Sequence, residues 1–279
     1  MIELIEAGLR RTGVRKVSLI GMGVTDNRQL KTLCQWLSSM DVDFSIPSLR
    51  MDLLDEELMR FIAEGGQRTL TLAPEAASED LRKLIGKPIP GDKLLKVAEE
   101  AHEVGFRRVK LYFMVGLPGE CLKDLEAIGR LVGKISKIGF RQVYISVNPL
   151  IPKPQTPFQW LPLASKTHLN EAYRVLRRSL PRSSKIRVET LKPSHAEIQT
   201  LLSQGGSEVG KVLKYMVLHG SGKIKEACRR FEVDLNRFVY GAKDPDDPLP
   251  WSLIRSADLK ILKSVFHRFE SELSVIGDI

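Results

Sequence analysis

Glycines, prolines and acidic residues follow four short apolar runs of the sequence. The segments read GMGVTD from Gly21, PSLRMD from Pro47, APEAAS from Ala73 and GLPGE from Gly116. Glycine lets the backbone come close to a bound phosphate or sugar, and a carboxylate can accept hydrogen bonds from hydroxyl groups or exchange a proton. Taken alone, each segment is explained more simply as a turn, because a single GxG or a single glutamate is a weak signal of a binding site.

The apolar runs before these segments predict β-strands, and the patterns between the runs predict helices. Strands are expected at 16–20, 43–46, 69–73, 109–115 and 142–147. Helices are expected at 27–40, 55–64, 78–84, 92–104 and 122–138, where apolar residues recur three and four positions apart. Alternating strands and helices predict parallel βα units, in a barrel or a doubly wound sheet. In both architectures ligand sites form at the carboxyl ends of the strands, where the four loops would meet.

A proline-rich stretch separates this α/β pattern from a different one. Five prolines lie between residues 148 and 162, which predicts a rigid extended connection. We therefore expect an α/β region over residues 1–163 and a basic, mainly helical region over residues 164–279. The second region shows helical patterns at 166–179, 194–203, 208–218, 223–231 and 257–275, with a short strand at 185–189.

Composition and cysteine usage exclude several classes of protein. Hydrophobic residues make up 43% and charged residues 28% of the 279 residues, as in an ordinary globular protein. No apolar run approaches the roughly 20 residues of a membrane span, and no secretory signal is recognised, which predicts a cytoplasmic protein with no membrane partner. Cys34, Cys121 and Cys228 lie far apart, so neither a disulfide framework nor a local metal site is expected.

The formal charge of +9 is concentrated in the second region. Residues 164–279 hold 20 lysines and arginines against 14 acidic residues. A basic surface of this kind can meet nucleic acid, but a solvated helical face is the commoner explanation. No basic run in the sequence is dense or interleaved with aromatic residues, so RNA is only a weakly supported partner.

Four motifs occur in a fixed order on successive predicted strands. They read SIPSLRMD, LTLAPEAASEDLRKLIGKPI, KLYFMVGLPGE and VNPLIPKPQTPFQW. In this order they resemble the radical SAM superfamily, and in particular its branch of cobalamin-binding Fe–S oxidoreductases. The resemblance covers roughly residues 5–162 and implies a partial parallel (β/α) barrel that lacks its first strand, followed by a helical extension.

The resemblance implies a site for S-adenosylmethionine (SAM) on the strand-end loops. The family's Gly-Gly-Glu-type motif is represented by Gly21 and Gly23 without an acid, so backbone groups or Asp26 would bind the amino group. No residue is assigned a catalytic role and none a metal-binding role. The residues implied in SAM binding are Gly21, Gly23, Ser48, Arg50, Glu75, Arg82, Gly116, Pro118, Glu120, Asn148 and Pro149.

Individual roles follow from the matching motif positions. Glu75 corresponds to the position that contacts the ribose or the amino acid part of SAM. Arg82 and Lys87 are near the position where the family has a basic residue for the SAM carboxylate. The segment from Gly116 to Glu120 corresponds to an adenine-contacting motif. Asn148 and the following proline occupy the place where main-chain groups bind adenine.

One feature of the family is absent from the sequence. Radical SAM chemistry uses a four-iron four-sulfur cluster held by CxxxCxxC, whose electron converts SAM to methionine and a 5′-deoxyadenosyl radical. The three cysteines here do not form that motif. The cluster is therefore expected only in an intact assembly, with its ligands in a missing N-terminal segment or a partner chain, and cobalamin only through a further upstream domain.

Two functions remain open at this point. The first is the SAM-binding portion of a radical SAM iron–sulfur enzyme, inactive as this chain alone. The second is a degenerate, non-catalytic barrel that binds SAM, a nucleotide or RNA through its rim loops and basic tail. An unrelated barrel enzyme that uses Glu75 and Glu120 as acid and base is disfavoured by the ordered motifs. Without a first strand, the strand at 16–20 would be an open edge, which predicts a covering partner segment or self-association.

Overall fold

The structure, a computed structural model, describes residues 1–21, 23–47, 49–254 and 256–277. Each predicted strand is present with shifted ends, together with the short strand of the second region. The strands are β1 (Lys16–Ser18), β2 (Asp43–Ser45), β3 (Thr69–Glu75), β4 (Arg108–Val115), β5 (Gln142–Pro149) and β6 (Ile186–Thr190).

Helices fill the connections, as the apolar periodicity predicts. Those among the strands are α1 (Ile2–Thr12), α2 (Leu30–Ser39), α3 (Glu56–Glu64), α4 (Glu79–Leu84), α5 (Gly91–Glu103), α6 (Leu122–Lys137) and α7 (Lys166–Ser179). Those after β6 are α8 (Pro193–Gln204), α9 (Val209–His219), α10 (Ile224–Arg230), α11 (Leu235–Val239) and α12 (Leu259–Gly277). The five-residue helix α11 was not predicted, because so short a segment shows no periodicity.

The strands form two sheets. β1 pairs with β2 in parallel, and a four-stranded sheet has the order β3-β4-β5-β6, in which β3 and β4 are parallel. The predicted α/β class with parallel strands and covering helices is confirmed. Over the described residues the strands do not close into a barrel.

A side chain takes the place of strand pairing between the two sheets. The Gln67 amide accepts from Ile46 N (2.7 Å) and donates to Thr69 O (3.0 Å), so it joins the residue after β2 to the first residue of β3. These contacts satisfy backbone groups that the interrupted ladder would leave unpaired.

The chain forms two compact units, each discontinuous in sequence. The first contains Met1–Phe113, Glu126–Val147 and Ser179–Glu189, and its buried residues include Phe44, Met59, Ile62, Leu72 and Phe140. The second contains Met114–Leu125, Asn148–Arg178 and Thr190–Ile279, and its buried residues include Trp160, Leu169, Leu176, Val212 and Val239. A functional division near residue 163 stays a prediction.

A buried carboxylate ties together helices of the second unit. Glu197 of α8, only 2% exposed, accepts from Lys166 of α7 at 2.5 Å and from the Tyr240 hydroxyl at 2.9 Å. Both carboxylate oxygens thus have donors, which offsets the cost of burying the charge. None of the helices in the described residues has the length and apolarity that a bilayer crossing requires.

Candidate functional site

The first unit carries the loops after β1, β2 and β3. After β1, Gly23 has a φ of 67° and precedes a turn of 3-10 helix, and a Cβ there would lie 2.4 Å from Asp26 Oδ2. The glycine therefore allows the Asp26 carboxylate to approach the backbone. Gly21 lies at an exposed bend two residues earlier, while the predicted site residue Ser48 is outside the described residues.

The Arg50 guanidinium joins the loops after β1 and β2. It donates to Asp26 Oδ1 at 2.9 Å and to Asp52 Oδ2 at 2.6 Å. The hydrogen bond from Arg50 holds the pKa of the Asp52 carboxyl below its ordinary value. Arg50 is among the residues that the resemblance implies in SAM binding, and here its donors bind two carboxylates of the chain itself.

Glu75 ends β3 in an unusual backbone conformation. Its φ is 65°, and Ala76 N donates to Pro74 O at 2.8 Å, which closes a three-residue γ-turn of the rarer, positive-φ form. Such a conformation costs about 1–3 kcal/mol at a residue other than glycine. The turn presents a side chain that is 24% exposed, and Lys87 Nζ donates to its Oε1 at 3.1 Å.

Arg82 holds the loop that follows Glu75. Its side chain is 1% exposed and donates to three backbone oxygens, those of Ile89 (2.8 Å), Ala76 (3.1 Å) and Ala77 (2.7 Å). Burial lowers the pKa of this guanidinium from its ordinary value. Arg82 thus fixes the loop from inside, and its predicted contact with the SAM carboxylate stays a prediction.

The GLPGE loop after β4 belongs to the second unit. Gly116 and Gly119 have φ values of 72° and 79°, and a Cβ on Gly116 would lie 2.8 Å from the Cβ of Ala164. The glycines therefore permit a tight turn in which Glu120 N donates to Leu117 O at 3.0 Å. A larger residue at 116 would meet both a steric clash and an unfavourable φ.

The Glu120 side chain folds back into this turn. Its Oε1 accepts from Gly116 N at 3.1 Å. Burial raises the pKa of the Glu120 carboxyl to about 7, although the backbone amides of Gly116 and Leu117 act in the opposite direction. A carboxyl that changes protonation near neutral pH is able to hold or release a proton under ordinary conditions.

The remaining predicted residues lie beside this turn or at the end of β5. Pro118 is half-buried inside the turn, and Asn148 and Pro149 are the last two residues of β5. Leu150 N donates to Val115 O at 2.9 Å, which holds the chain after β5 against the end of β4. Cys121 is exposed, and its backbone N–H donates to Asp124 Oδ2 at 2.9 Å, which caps α6.

A polar sheet face in the first unit was missed by the sequence analysis. Lys110, Tyr144, Arg187 and Glu189 line a depression of about 520 Å³ across β4, β5 and β6. Lys110 Nζ lies 4.9 Å from the centre of the Tyr112 ring, and Glu189 contributes to raising the pKa of Lys110 after Tyr112. In β4, Lys110 and Tyr112 alternate with buried apolar residues, and this period of two is visible in the sequence itself.

The described residues do not fit an iron–sulfur cluster. Cys34 of α2 and Cys228 of α10 are buried, and Cys121 is exposed before α6. Within the parts of the chain that the structure describes, no three Cys, His, Asp or Glu residues form a group that could hold a metal ion.

Residues 1–132 match the sequence model of the radical SAM superfamily. The resemblance to that superfamily is confirmed. The chain is 38% identical over 217 residues to the uncharacterized protein MJ0966 of Methanocaldococcus jannaschii, covering 77% of this chain and 47% of that protein. It is 28% identical over 162 residues to the heme chaperone HemW of Bacillus subtilis, covering 55% and 41%. The chain thus spans less than half the length of these relatives.

The chain is also similar to two solved structures at low sequence identity. Coproporphyrinogen III oxidase (HemN) from Escherichia coli, a radical SAM enzyme, is 14% identical with a TM-score of 0.46, covering 64% of this chain and 45% of that one. Elp3 from the archaeon Methanocaldococcus infernus is 13% identical with a TM-score of 0.46, covering 77% and 57%.

Proposed function

We propose that this chain is the SAM-binding portion of a radical SAM iron–sulfur enzyme. The observation that carries the proposal is Glu75, which ends β3 in a positive-φ γ-turn and is bound by Lys87. Strained residues persist where the surrounding structure fixes them, and they cluster at ligand sites. A partly exposed, positioned carboxylate is suited to accept the two hydroxyl groups of a ribose.

The other strand-end loops supply groups that fit parts of SAM. Gly21 and Gly23 are exposed, and their backbone groups are suited to the amino group, with Asp26 as the nearby acid. From the motif match, main-chain groups of the Gly116–Glu120 segment and of Asn148 and Pro149 are the proposed contacts of the adenine base. When bound and reduced, SAM supplies a 5′-deoxyadenosyl radical. The chain's own residues bind and orient it.

The cluster ligands come, in this proposal, from residues outside the given sequence. This follows from the spacing of its three cysteines, which lie in separate elements. The chain alone is then inactive, and cobalamin would require a further domain. A cytoplasmic location and a functional division near residue 163 are parts of the same proposal.

Titration calorimetry with SAM tests the binding step. We expect Glu75→Gln to weaken SAM binding roughly tenfold or more, because the neutral amide replaces a charged hydrogen-bond acceptor. The matched control is Glu99→Gln on the exposed side of α5, which should leave the affinity unchanged. No SAM binding by the chain, with or without a supplied CxxxCxxC segment, would contradict the proposal.

A non-catalytic SAM-binding barrel is the second candidate. It is favoured by the absence, within the described residues, of any group that could hold a metal. The two candidates separate when a segment with the cluster motif is added and reconstituted with iron and sulfide. SAM cleavage on reduction supports the enzyme, whereas binding without cleavage supports the non-catalytic barrel.

The open edge of β1 is the proposed place for a covering segment or a second copy. Among the described strands β1 pairs only with β2, and Ile20 just beyond it is 82% exposed. An uncovered apolar edge promotes association between chains. We expect sedimentation velocity to show concentration-dependent self-association that Ile20→Lys reduces. A chain that stays monomeric at micromolar concentration would contradict this part of the proposal.

A further inference from the structure

A basic and aromatic surface lies on α9 and α10, in the second unit. It surrounds a depression of about 530 Å³. Its lining combines three cations with three rings, namely Lys211, Lys214, Arg230, Tyr215, His219 and Phe231. We call this depression the α9–α10 groove.

Tyr215 and His219 form an aromatic platform in the α9–α10 groove, with Phe231 against its edge. The Tyr215 and His219 ring centres lie 4.2 Å apart at 38°, and Phe231 meets Tyr215 edge-on at 6.1 Å. The Tyr215 hydroxyl donates to Glu226 Oε1 at 2.5 Å, which fixes the orientation of the ring. Because His219 is exposed, a planar ligand can stack on it and extend the platform outward.

Positive charge surrounds this platform. Residues 207–231 contain six lysines and arginines but only two glutamates. Glu226 is occupied by Tyr215 and by Lys223 at 2.9 Å, and within the described chain no carboxylate pairs with Lys211, Lys214 or Arg230. The Arg230 guanidinium lies 5.5 Å from the Tyr215 ring centre. Exposed cations without counter-charges are available for an anionic partner.

We propose that the α9–α10 groove binds single-stranded RNA. Cations in a groove attract successive phosphates, and exposed rings stack with unpaired bases, which is the combination that sequence-tolerant single-strand binding uses. A duplex keeps its bases stacked inside and offers no partner for His219. RNA is favoured because its loops and ends present unpaired bases. The sequence did not reveal this surface, since Arg230 and Phe231 join the α9 residues only when α10 packs on α9.

Fluorescence anisotropy with a labelled oligouridine of about 12 nucleotides tests the proposal. At low salt the pair of changes Lys214→Ala and Arg230→Ala should weaken binding roughly tenfold or more and reduce the slope of log K against log salt by about 1.4. His219→Ala should weaken binding about fivefold or more without changing that slope. The control pair, Lys134→Ala and Lys137→Ala on exposed positions of α6, removes equal charge and should have little effect.

The outcomes separate RNA binding from simple charge attraction and from SAM binding. The proposal is overturned if the oligouridine does not bind at low salt, if a duplex of equal length binds as tightly, or if the control pair weakens binding as much as the groove pair. A single-stranded DNA that binds more tightly than the RNA would also overturn it. The groove variants should keep the SAM affinity and the circular dichroism of the original chain, because the groove shares no residue with the proposed SAM site.

Discussion

Glu75 ends β3, and Glu120 lies in the loop after the neighbouring strand β4. The surroundings of their two carboxylates differ. Glu75 ends β3 and is bound by the Lys87 ammonium at 3.1 Å. Glu120 follows β4 and is bound by the neutral amide of Gly116 at 3.1 Å, and burial raises its pKa to about 7. The comparison shows that the same residue type can be paired with a cation after one strand and lie desolvated in a tight turn, with its pKa raised to about 7, after the next.

The two loops also differ in what holds them in place. The Glu75 loop is anchored by the buried Arg82 guanidinium, which binds three carbonyl groups. The GLPGE loop is instead shaped by glycine conformation and by the Glu120 side chain itself. The free energy of unfolding should therefore depend on the Arg82 cation in the Glu75 loop and on pH in the GLPGE loop.

The largest effect is expected from removing the anchor of the Glu75 loop. Arg82→Met removes the donor to the carbonyls of the buried Ala76 and Ile89 and of the half-buried Ala77, which should cost about 3 kcal/mol of unfolding free energy. The control Lys83→Met affects an exposed pair with Glu79 and should cost no more than about 0.5 kcal/mol. Urea midpoints measure both. Equal shifts for the two variants would show that Arg82 does not anchor the loop.

An intermediate effect is expected from the pH dependence of the GLPGE loop. The pKa of Glu120 rises from 4.5 to about 7 on folding, so the folded chain binds more protons between these values and its stability falls as pH rises through this window. Glu120→Gln stays neutral and should remove a pH-dependent loss on the order of 2 kcal/mol. Urea midpoints of both proteins from about pH 5 to pH 8 provide the measurement. Parallel curves would mean that Glu120 is not responsible.

The smallest effect is expected from the neighbouring carboxylate. Asp124 contributes to raising the pKa of Glu120, and its Oδ2 accepts from Cys121 N. Asp124→Asn keeps an oxygen that can cap α6 but removes the charge, so it should move the Glu120 titration to lower pH with little change in stability. Carbon-13 NMR of the Glu120 carboxyl measures this shift, and Glu126→Gln on the same helix is the control. A shift to higher pH would contradict the assigned cause.

Much of the fold could be predicted because its signals are local. The apolar runs and helical periodicities located every strand and most helices, although β1 and β2 end earlier than expected, at Ser18 and Ser45. Just after Ser45, the backbone N–H of Ile46 donates to the Gln67 side chain, a contact that no local pattern predicts. At the site, the order of the motifs predicted the loops, but the pairing of Arg50 with Asp26, which joins two loops, could not be inferred from either segment alone.

The sequence by itself determined the order of parallel strands and helices and the chemistry at the strand ends, because periodicity and turn residues act over a few positions. Only the tertiary structure decided which of the polar side chains are buried and which groups they pair with. The burial of Glu120, the carbonyl cage of Arg82 and the α9–α10 groove depend on which segments pack together. Desolvation and charge pairing arise from neighbours in space, and those neighbours are set by the fold.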